Sequence, residues 1–578
     1  MPRTFDPILV EVIKNELASV NEEMAIAVFR TARSVMVKIG DFATTVYDRQ
    51  GRVIGEGAAA FQVGIFAEVI SNVLRKYGGS FKPGDVIVTN DPYAGAGHMP
   101  DIVLVASAFW RGELVAFTLA YSHHTDTGGR FPGGFTSLCS ESFEEGLRLP
   151  IMKFYEAGEP NEALVQLISA NVRTPDEWMG DAEAKVAGCR RGEQEIQKLL
   201  DKYGLAVFES TCDFLVDHAE QACRAAISRI PPGEYHYESV YEDEGLGTAD
   251  GNLPVKVTLR VFGDNLTVDL TGTAAQAKTA INCPLGLTRA TVYGAVKSIV
   301  EPDVLLNIGF TRPINIVVPS GTVLNPNFPA AVGGRAPLCF VLFDLIFRAL
   351  AKAMPQKMPI AGEGGDVMHF TGRRQDGAEY SFMDGFFGGW GGRPTKDGID
   401  GVAPVMFGAY GSPPAEIMER EYPVVYEGFG YVPDTEGAGK YRGSVSVYKK
   451  WRFLAPGAVM LQTNRLTHAS QGLAGGGAGS LSLNVLTSEG IDKVLPRQTH
   501  FHLDVKPGDS VYHVIAGAGG YGRPWERDIE NVVADVKDGK VTIAGARTHY
   551  SVVIDPNTLR VNEEETRMLR SRLDRSAS

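Results

Sequence analysis

Residues 90–101 read Asn-Asp-Pro-Tyr-Ala-Gly-Ala-Gly-His-Met-Pro-Asp, and residues 122–129 read Ser-His-His-Thr-Asp-Thr-Gly-Gly. Between these polar stretches, two apolar runs at 102–110 and 114–121 flank the short segment Arg111-Gly112-Glu113. An apolar run, a short turn and a second apolar run are typical of a β-hairpin. A hairpin returns the chain to its starting point, so we expect the two polar stretches to lie side by side at one end.

The hairpin would bring together three side chains that suit a divalent metal. His98 and Asp101 precede its first strand, and His123 follows its second. Two imidazoles and a carboxylate are donors that zinc and other transition metals accept. A local role is the competing interpretation, because aspartates such as Asp91 and Asp101 commonly form hydrogen bonds within turns rich in glycine and proline. The residues alone leave both interpretations open.

The composition indicates an acidic protein with more than one domain. The chain has 578 residues, with 56 Lys and Arg against 69 Asp and Glu, and a net charge of −13. A chain of this length exceeds what a single core normally supports. The acidic balance, without a Lys/Arg cluster, argues against a nucleic-acid partner. No apolar run is long enough to span a membrane.

The cysteines and the N-terminus predict a cytoplasmic location. Six cysteines are scattered along the chain without a Cys-x-x-Cys pair, at positions 139, 189, 212, 223, 283 and 339. This distribution is typical of free thiols in a reduced compartment. The first residues contain no apolar core of a signal peptide.

The N-terminal part of the chain alternates helices and strands. Apolar residues at three- and four-residue spacing predict helices over 5–38 and 62–76. Residues 41–48 and 86–89 read as strands, and the second strand leads directly into the first polar stretch. Asp41 lies at the junction of helix and strand, where it serves either a functional site or a turn. Its residue type alone favours the turn.

The complete pattern predicts an α+β fold, in which a multidomain, mixed α/β chain has mostly antiparallel sheets and a helical segment. Four regions follow from changes in the pattern: a metal-site α+β region at 1–158, a helical segment at 159–230, an α+β region at 231–345, and a glycine-rich, β-dominated C-terminal region at 346–578.

Three further predictions concern the later chain. Residues 384–401 are too rich in glycine for regular structure, and residues 541–543 read as a strand. The charged tail from Glu563 reads as a helix or a frayed end. His500 and His502 share one strand face, which is more typical of an exposed pair than of a metal site.

Neither of two common nucleotide-binding motifs predicts a nucleotide site in this chain. Residues 517–522 match Gly-x-Gly-x-x-Gly, but Pro524 crowds the helix that a dinucleotide site requires, and too little chain remains for its sheet. The sequence contains no Gly-x-x-x-x-Gly-Lys-Ser/Thr phosphate loop. It also lacks the Gly-x-Ser-x-Gly nucleophile motif. The sequence therefore does not predict ATP binding by this chain.

Several motifs occur in a fixed order along the chain. Besides the two polar stretches of the hairpin, they are Asp41-Phe42-Ala43, Glu145-Gly146-Leu147-Arg148-Leu149-Pro150, Asn171-Val172-Arg173-Thr174-Pro175-Asp176-Glu177, Gly388-Gly389-Trp390-Gly391-Gly392-Arg393-Pro394 and Gly517-Ala518-Gly519-Gly520-Tyr521-Gly522. Together they resemble the hydantoinase B / acetone carboxylase α-subunit family over nearly the whole chain. One departure follows Gly129, where Arg130-Phe131-Pro132-Gly133-Gly134 stands in place of the Pro-Gly-Ser of many relatives.

The resemblance implies a metal-bearing subunit of an ATP-dependent cyclic-amide hydrolase, which opens lactam, hydantoin or 5-oxoproline rings through a phosphorylated intermediate. It implies a Zn or Mn ion on His98, Asp101 and His123. It also matches Asp41 to a further carboxylate ligand, which overrules the turn interpretation. His124 and Asp126 are the nearest candidates for proton transfer, and both could equally orient a ligand.

The resemblance also implies a partner. ATP and Mg are expected on a separate hydantoinase A-type ATPase subunit, in an α2β2 heterotetramer. Two alternatives stay open. One is a subunit of an ATP-dependent acetone- or acetophenone-type ketone carboxylase. The other is a non-catalytic scaffold whose metal only supports folding.

Overall fold

The computed structural model describes residues 7–56, 60–134, 136–242, 251–300, 302–374, 377–404 and 411–577. Its strands form four sheets, and the one parallel pair among the described strands lies in the second sheet. This arrangement confirms the predicted α+β class with mostly antiparallel sheets. Within the described residues, no helix combines the length and the apolar character needed to cross a membrane.

The first sheet has seven strands and is built around the predicted hairpin. Its strands are β1 (Phe42–Asp48), β2 (Val53–Glu56), β3 (Val86–Thr89), β4 (Asp101–Trp110), β5 (Glu113–His123), β6 (Met152–Glu156) and β7 (Glu159–Pro160), in the order β2-β1-β5-β4-β3-β6-β7. The central strands β4 and β5 form the hairpin and are buried over most of their length. Burial on both faces explains why their sequences are continuously apolar.

Helices cover this sheet. They are α1 (Pro7–Thr31), α2 (Val35–Lys38), α3 (Ala60–Tyr77), α4 (Glu162–Asn171), α5 (Pro175–Tyr203) and α6 (Leu205–Ile227). The prediction of one continuous helix to residue 38 is wrong, because Ser34 begins a new helix by accepting a hydrogen bond from the Val37 N–H. Asp181 of α5 stabilises this break, since its carboxylate accepts the Arg33 and Ser34 N–H groups. Such caps satisfy donors that a helix end otherwise leaves open.

The second sheet has four strands and three accompanying helices. The strands are β8 (Gly233–Tyr241), β9 (Leu253–Phe262), β10 (Asn265–Asp269) and β11 (Ile314–Val317), in the order β11-β10-β9-β8. The helices are α7 (Leu285–Lys297), α8 (Ile308–Thr311) and α9 (Ala336–Ala353). Helix α9 is buried along most of its length because it packs between this sheet and α7.

The third and fourth sheets form the C-terminal half. Their strands are β12 (Asp366–Arg373), β13 (Glu379–Phe386), β14 (Val424–Val432), β15 (Ser446–Phe453), β16 (Gly457–Gln462), β17 (Leu483–Ser488), β18 (Ile491–Val494), β19 (His500–Val505) and β20 (Ser510–Val514). The third sheet has the order β13-β12-β16-β19, and the fourth has the order β14-β15-β20-β17-β18. Apolar residues of both sheets share one core that includes the fully buried Trp451.

The helices of the C-terminal half are α10 (Ala415–Glu421), α11 (Ile529–Lys537), α12 (Ile543–Tyr550) and α13 (Glu563–Ala577). The strand predicted at 541–543 is wrong, because Thr542 caps α12 by accepting the Gly545 N–H at 2.9 Å. The β-branched residues of this run favour a strand, whereas threonine is also a favoured helix cap. The helical prediction for the tail from Glu563 is confirmed.

The late glycine motif is packed backbone to backbone. A Cβ atom on Gly519 would stand 2.3 Å from the Gln471 carbonyl oxygen, and one on Gly520 would stand 2.3 Å from that of Gly437. Such distances leave room only for glycine. The motif therefore joins neighbouring loops and leaves no room for a dinucleotide at these backbone atoms.

Candidate metal centre

The register of the hairpin places two of the predicted ligands opposite each other. Asp101, the first residue of β4, is the Cα partner of His123, the last residue of β5. His98 joins them through a tight turn, in which the Asp101 N–H donates to the His98 carbonyl at 3.0 Å. The His98 Nε2 atom lies 3.1 Å from the Asp101 Oδ1 atom. The hairpin therefore brings these three side chains together, as predicted from the sequence.

The turn also uses Asp101 locally. Its Oδ2 atom accepts the His98 N–H at 3.1 Å. A Cβ atom on Gly97 would stand 2.3 Å from the same oxygen, so this approach requires glycine. The Oδ2 atom of Asp101 therefore stabilises the turn, while its Oδ1 atom faces the His98 ring.

Asp41 reaches the cluster from β1. Its carbonyl oxygen accepts the His123 N–H at 3.1 Å, which fixes the two residues side by side. The hydroxyl of Tyr121 lies 3.1 Å from Asp41 Oδ1 and 3.0 Å from Asp101 Oδ1. A phenol has one proton to donate, so Tyr121 can serve only one of these two buried carboxylates at a time.

Burial and nearby charges set the protonation of the cluster. Burial, followed by the charge of Arg335, lowers the pKa of His98 to about 4. Burial and the neighbouring His98 hold the pKa of His123 well below its usual value. Burial acts to raise the pKa of Asp101, but His98 and Arg335 outweigh it and the net shift is downward. At neutral pH the site therefore offers two neutral imidazoles and an anionic carboxylate.

Arg335 belongs to the site and was missed in the sequence. Its guanidinium donates to Asp101 Oδ2 at 3.2 Å from just before α9, across 234 positions of sequence. Glu145 holds the preceding loop, since its Oε1 atom accepts the N–H groups of Val332 and Gly333. Burial raises the pKa of Glu145 to about 7. No local periodicity reports a contact of this range, so residue patterns could not have found Arg335.

A cavity lies beside the cluster. Its lining residues include Ile39, Asp41, Ile65, Phe66, Asp101, Tyr121, His123, Leu287, Arg335, Ala336, Cys339, Phe340, Asp366, Val367, Met383, Phe387 and Gln462. The third sheet thus closes a cavity whose polar end is built by the first sheet.

His124 and Asp126 are not among the residues that line this cavity. His124 is buried, with its Nε2 atom 2.7 Å from the Lys185 ammonium and its ring against Trp178. The Asp126 carboxylate accepts hydrogen bonds from the backbone N–H and from the guanidinium of Arg173, both at 2.8 Å. The structure therefore gathers Asp41, His98, Asp101 and His123, and it separates the two proton-transfer candidates from them.

The third sheet contributes a further buried histidine that sequence reasoning missed. His369 of β12 hydrogen-bonds Ser381 through Nε2 at 2.8 Å. Its ring also stands where a Cβ atom on Gly133 would lie, 1.5 Å from the His369 Cε1 atom. The glycine-rich loop after Asp126 therefore packs directly on this histidine. The His500–His502 pair lies on the same sheet, with His500 buried and His502 exposed.

The donor types fit a divalent metal, because two neutral imidazoles and up to two carboxylates are a ligand set that zinc and manganese accept. The present side-chain arrangement does not form a ligand shell. Over the described residues, no group of three or more His, Cys, Asp or Glu side chains is placed so that it could hold a metal ion. In the cluster, Arg335 contacts Asp101 instead. Metal binding by these residues therefore stays a proposal.

A cavity with titratable groups at one end and apolar walls is the arrangement of an enzyme active site. The comparison with known proteins agrees with this class. The chain belongs to the Hydantoinase B/oxoprolinase family, whose model matches residues 6–524.

Named relatives extend this assignment. The chain is 30% identical to a putative D-/L-hydantoinase subunit of Pseudomonas sp. (strain NS671), over 98% of both chains. It is 30% identical to the beta subunit of the caprolactamase of Pseudomonas jessenii, over 96% of this chain and 97% of that one. The crystal structure of the ATP-dependent caprolactamase from that organism superposes with a TM-score of 0.89 at 28% identity, over 98% of this chain and 100% of that one.

A more distant structure has the same fold. The nucleotide-free structure of acetone carboxylase superposes with a TM-score of 0.90 at 19% identity, over 100% of this chain and 84% of that one. This likeness concerns the fold alone.

Proposed function

We propose that this chain is the metal-bearing subunit of an ATP-dependent cyclic-amide hydrolase. The observation that supports the proposal most strongly is the convergence of His98, Asp101 and His123 beside a cavity that Asp101 and His123 line. Membership of the Hydantoinase B/oxoprolinase family supports the same reaction class. A bound Zn or Mn ion on these residues, with Asp41 as a further ligand, would supply Lewis acidity.

The reaction requires activation, because an amide is a poor electrophile. Transfer of the γ-phosphoryl group of ATP to the lactam oxygen makes the ring carbon reactive and releases ADP. Water then adds to this carbon, the C–N bond breaks, and the ring nitrogen takes up a proton. A second water releases phosphate from the resulting acyl phosphate. The net reaction consumes one lactam, one ATP and two waters, and it yields an amino acid, ADP and phosphate.

The residues of this chain have separate tasks in the proposed reaction. Tyr121 lies between Asp41 and Asp101 and donates its one hydroxyl proton to either carboxylate at the polar end of the cavity. Arg335 provides a guanidinium at the same end, where charge develops on the substrate oxygen. His124 and Asp126 were predicted to transfer protons or to orient a ligand. Their side chains contact Lys185 and Arg173 and do not line the cavity, which argues against direct proton transfer to a substrate there.

ATP and Mg are proposed to bind a separate subunit of the hydantoinase A type, in an α2β2 assembly. The sequence of this chain contains no phosphate loop, which supports a division of labour. The related hydantoinase and caprolactamase proteins carry the word subunit in their names, which supports a partner chain.

The experiment is ATP hydrolysis by the complex of this chain with its ATPase subunit. The panel contains lactams and hydantoins on one side, and ketones with bicarbonate on the other. We expect stimulation by a cyclic amide, with release of the ring-opened amino acid. Stimulation only by a ketone with bicarbonate would contradict the proposal and assign the same site to carboxylation.

A further inference from the structure

The cavity has a polar end and an apolar body. The polar end is formed by Asp41, Asp101, Tyr121, His123 and Arg335. The body is lined mainly by aliphatic and aromatic side chains, namely Ile39, Ile65, Phe66, Leu287, Ala336, Phe340, Val367, Met383 and Phe387. Such a body stabilises a hydrocarbon group in proportion to the apolar area removed from water.

The apolar body is formed by two parts of the fold that are distant in sequence. Ala336, Cys339 and Phe340 lie three and four residues apart on α9, so they present one helix face to the cavity. Opposite parts of the wall come from Val367 and Met383, which lie on β12 and β13 of the third sheet. This construction gives the cavity apolar walls on more than one side.

The absence of a side chain at Gly365 allows two aromatic rings to pack closely at the cavity wall. A Cβ atom there would lie 3.4 Å from the Phe340 ring and 3.4 Å from the Phe387 ring. At the polar end, the Phe66 ring packs on Tyr121 with 5.0 Å between the ring centroids. Apolar surface therefore begins directly beside the groups proposed to carry the chemistry.

The described residues of the cavity's apolar body offer no cationic partner to a carboxylate on the substrate ring. Three carboxylates line the cavity, on Asp41, Asp101 and Asp366, whereas Arg335 is the one Lys or Arg among the described lining residues. The Arg335 guanidinium already contacts Asp101 at 3.2 Å. A carboxylate carried on the substrate ring would therefore lie in the apolar body without a cationic partner of its own among these residues, in surroundings that screen charge poorly.

Gln462 provides an acceptor in this cavity. It is 1% exposed, and its amide nitrogen donates to the Gly334 carbonyl at 3.2 Å, which fixes the orientation of the amide. The Oε1 atom makes no hydrogen bond among the described residues. A buried acceptor without a donor is unfavourable, so this oxygen is suited to a ligand N–H. Gly334 is adjacent to Arg335, which places Gln462 near the polar end.

We propose that the substrate is an electrically neutral lactam with a hydrocarbon ring, and that Gln462 accepts its ring N–H. This inference rests on the proposed function. The apolar body holds the methylene groups of the ring, and the carbonyl group faces the polar end. A 5-oxoproline ring would add a carboxylate, and a hydantoin ring would add a second carbonyl and N–H group that the apolar walls leave without partners.

The first experiment compares substrates with the complete two-subunit complex. We measure kcat/KM for ε-caprolactam, δ-valerolactam, 5-oxoproline and hydantoin from ADP and amino-acid release. We expect the two hydrocarbon lactams to exceed the other two rings by roughly 10-fold or more, because each unpaired polar group costs about 1–3 kcal/mol. A preference for 5-oxoproline or hydantoin would overturn this inference and leave the proposed function standing. Activity with none of the rings would overturn both.

The second experiment tests Gln462 with an N-methyl lactam, which lacks the N–H donor. In the unmodified complex we expect the inhibition constant of N-methylcaprolactam to exceed the KM of ε-caprolactam by about 10-fold. In Gln462→Leu this ratio should fall towards one, because the acceptor is gone. Gln471→Leu is the matched control, since the Gln471 side chain is exposed and its amide nitrogen donates to the Ala469 carbonyl. An unchanged ratio in Gln462→Leu would refute the assignment.

Discussion

Asp101 and His123 are direct partners across β4 and β5, at the open end of the hairpin. Side chains of directly opposed residues lie on the same face of the sheet, about 5 Å apart at Cβ. A shift of the register by one residue would move one of the two to the other face. The turn of the hairpin has positive φ at both Arg111 and Gly112, the geometry that matches the twist of a hairpin. The register shifts by one residue between Ala108 and Phe109, so the pairing of Asp101 with His123 depends on this irregularity as well as on the turn.

The metal proposal predicts the effect of removing single ligands. We expect His98→Ala and His123→Ala each to lower the metal affinity of the purified complex by more than about 100-fold, which is the upper range for losing a partner that only supports a ligand. Lactam hydrolysis should be lost in parallel, while the two subunits still assemble. Metal content by atomic emission and the assembly by size exclusion measure these outcomes.

His236→Ala is the control, because this histidine is exposed on β8. Full metal content in either ligand variant would rule out the proposed donor set. Loss of metal with full activity would favour the alternative in which the metal only supports folding.

The sequence was sufficient for the hairpin and for the four clustered residues. Its apolar runs and turn predicted that the two polar stretches lie together, and the resemblance to a family brought in Asp41, whose residue type alone favours a turn. The register shift between Ala108 and Phe109 was not predicted. Arg335, His369 and Gln462 could not be predicted, because they reach the site from distant segments. Periodicity reports which face of an element is buried, but it does not report which distant element covers that face.

The failed local predictions have a related cause. The break after α1 depends on Asp181, which lies 148 positions later in the sequence than Arg33. The strand predicted at 541–543 failed because Thr542 is suited to both a strand and a helix cap. In both cases a specific hydrogen bond outweighs the general propensity of the residues.

Glu145 predicts a pH dependence of stability. Burial raises the pKa of its carboxyl from 4.5 to about 7, so the folded protein binds a proton more tightly than the unfolded chain. The stabilisation by the protonated form is complete below about pH 4.5 and is lost as the pH rises through 7. Glu145→Gln keeps the acceptor for the Val332 and Gly333 N–H groups but cannot ionise. We therefore expect the free energy of unfolding of the unmodified protein to fall relative to this variant between pH 5 and pH 8.

Glu144→Gln is the matched control for this titration. Hydrogen bonds from Ser140 lower the pKa of Glu144 to about 2, so its contribution changes only at acid pH. Urea unfolding at several pH values measures both variants. Parallel curves for Glu145→Gln and the unmodified protein would show that this carboxyl does not titrate in that range.

Because Lys185 is buried, we expect the free energy of unfolding to rise with pH above neutrality, opposite to the effect of Glu145. The buried Lys185 ammonium donates to the Ile102 carbonyl and to the Ser122 hydroxyl, both at 3.0 Å, beside the two facing residues of the hairpin. Burial lowers its pKa from 10.5 to about 7, so the unfolded chain binds the proton more tightly. The resulting penalty is complete below about pH 7 and declines as the pH rises towards 10.5. The free energy of unfolding should therefore rise with pH between 7 and 9, relative to Lys185→Met.

Lys198→Met on the same helix is the control, because Lys198 is exposed and pairs with Glu195 at the surface. Chemical denaturation at pH 7, 8 and 9 measures the slope for each protein. A Lys185→Met variant with the same slope as the unmodified protein would contradict a buried, weakly basic lysine.

The loop after Asp126 packs so closely on the third sheet that position 133 has no room for a side chain. The φ of Gly133 is +79°, and a Cβ atom would stand 1.5 Å from the His369 Cε1 atom. Gly263 is the matched control, with φ of +61° and nothing within 4 Å of its Cβ position. Both alanine variants carry the strain of the left-handed conformation, about 1–2 kcal/mol. Only Gly133→Ala must also displace an imidazole that Ser381 holds, which adds about 1–3 kcal/mol.

The same displacement should reach the active site, because the Gly133 N–H donates to Asp126 and the loop lies beside Pro100 of the His98–Asp101 turn. We expect Gly133→Ala to lower kcat/KM for the lactam by about 10-fold or more, and Gly263→Ala to leave it unchanged. Denaturant unfolding and steady-state kinetics of the two-subunit complex measure the two effects. Equal stability and equal activity in the two variants would mean that the loop does not rest on His369 in solution. A loss of stability in Gly133→Ala without a loss of activity would separate the packing of the loop from the chemistry of the site.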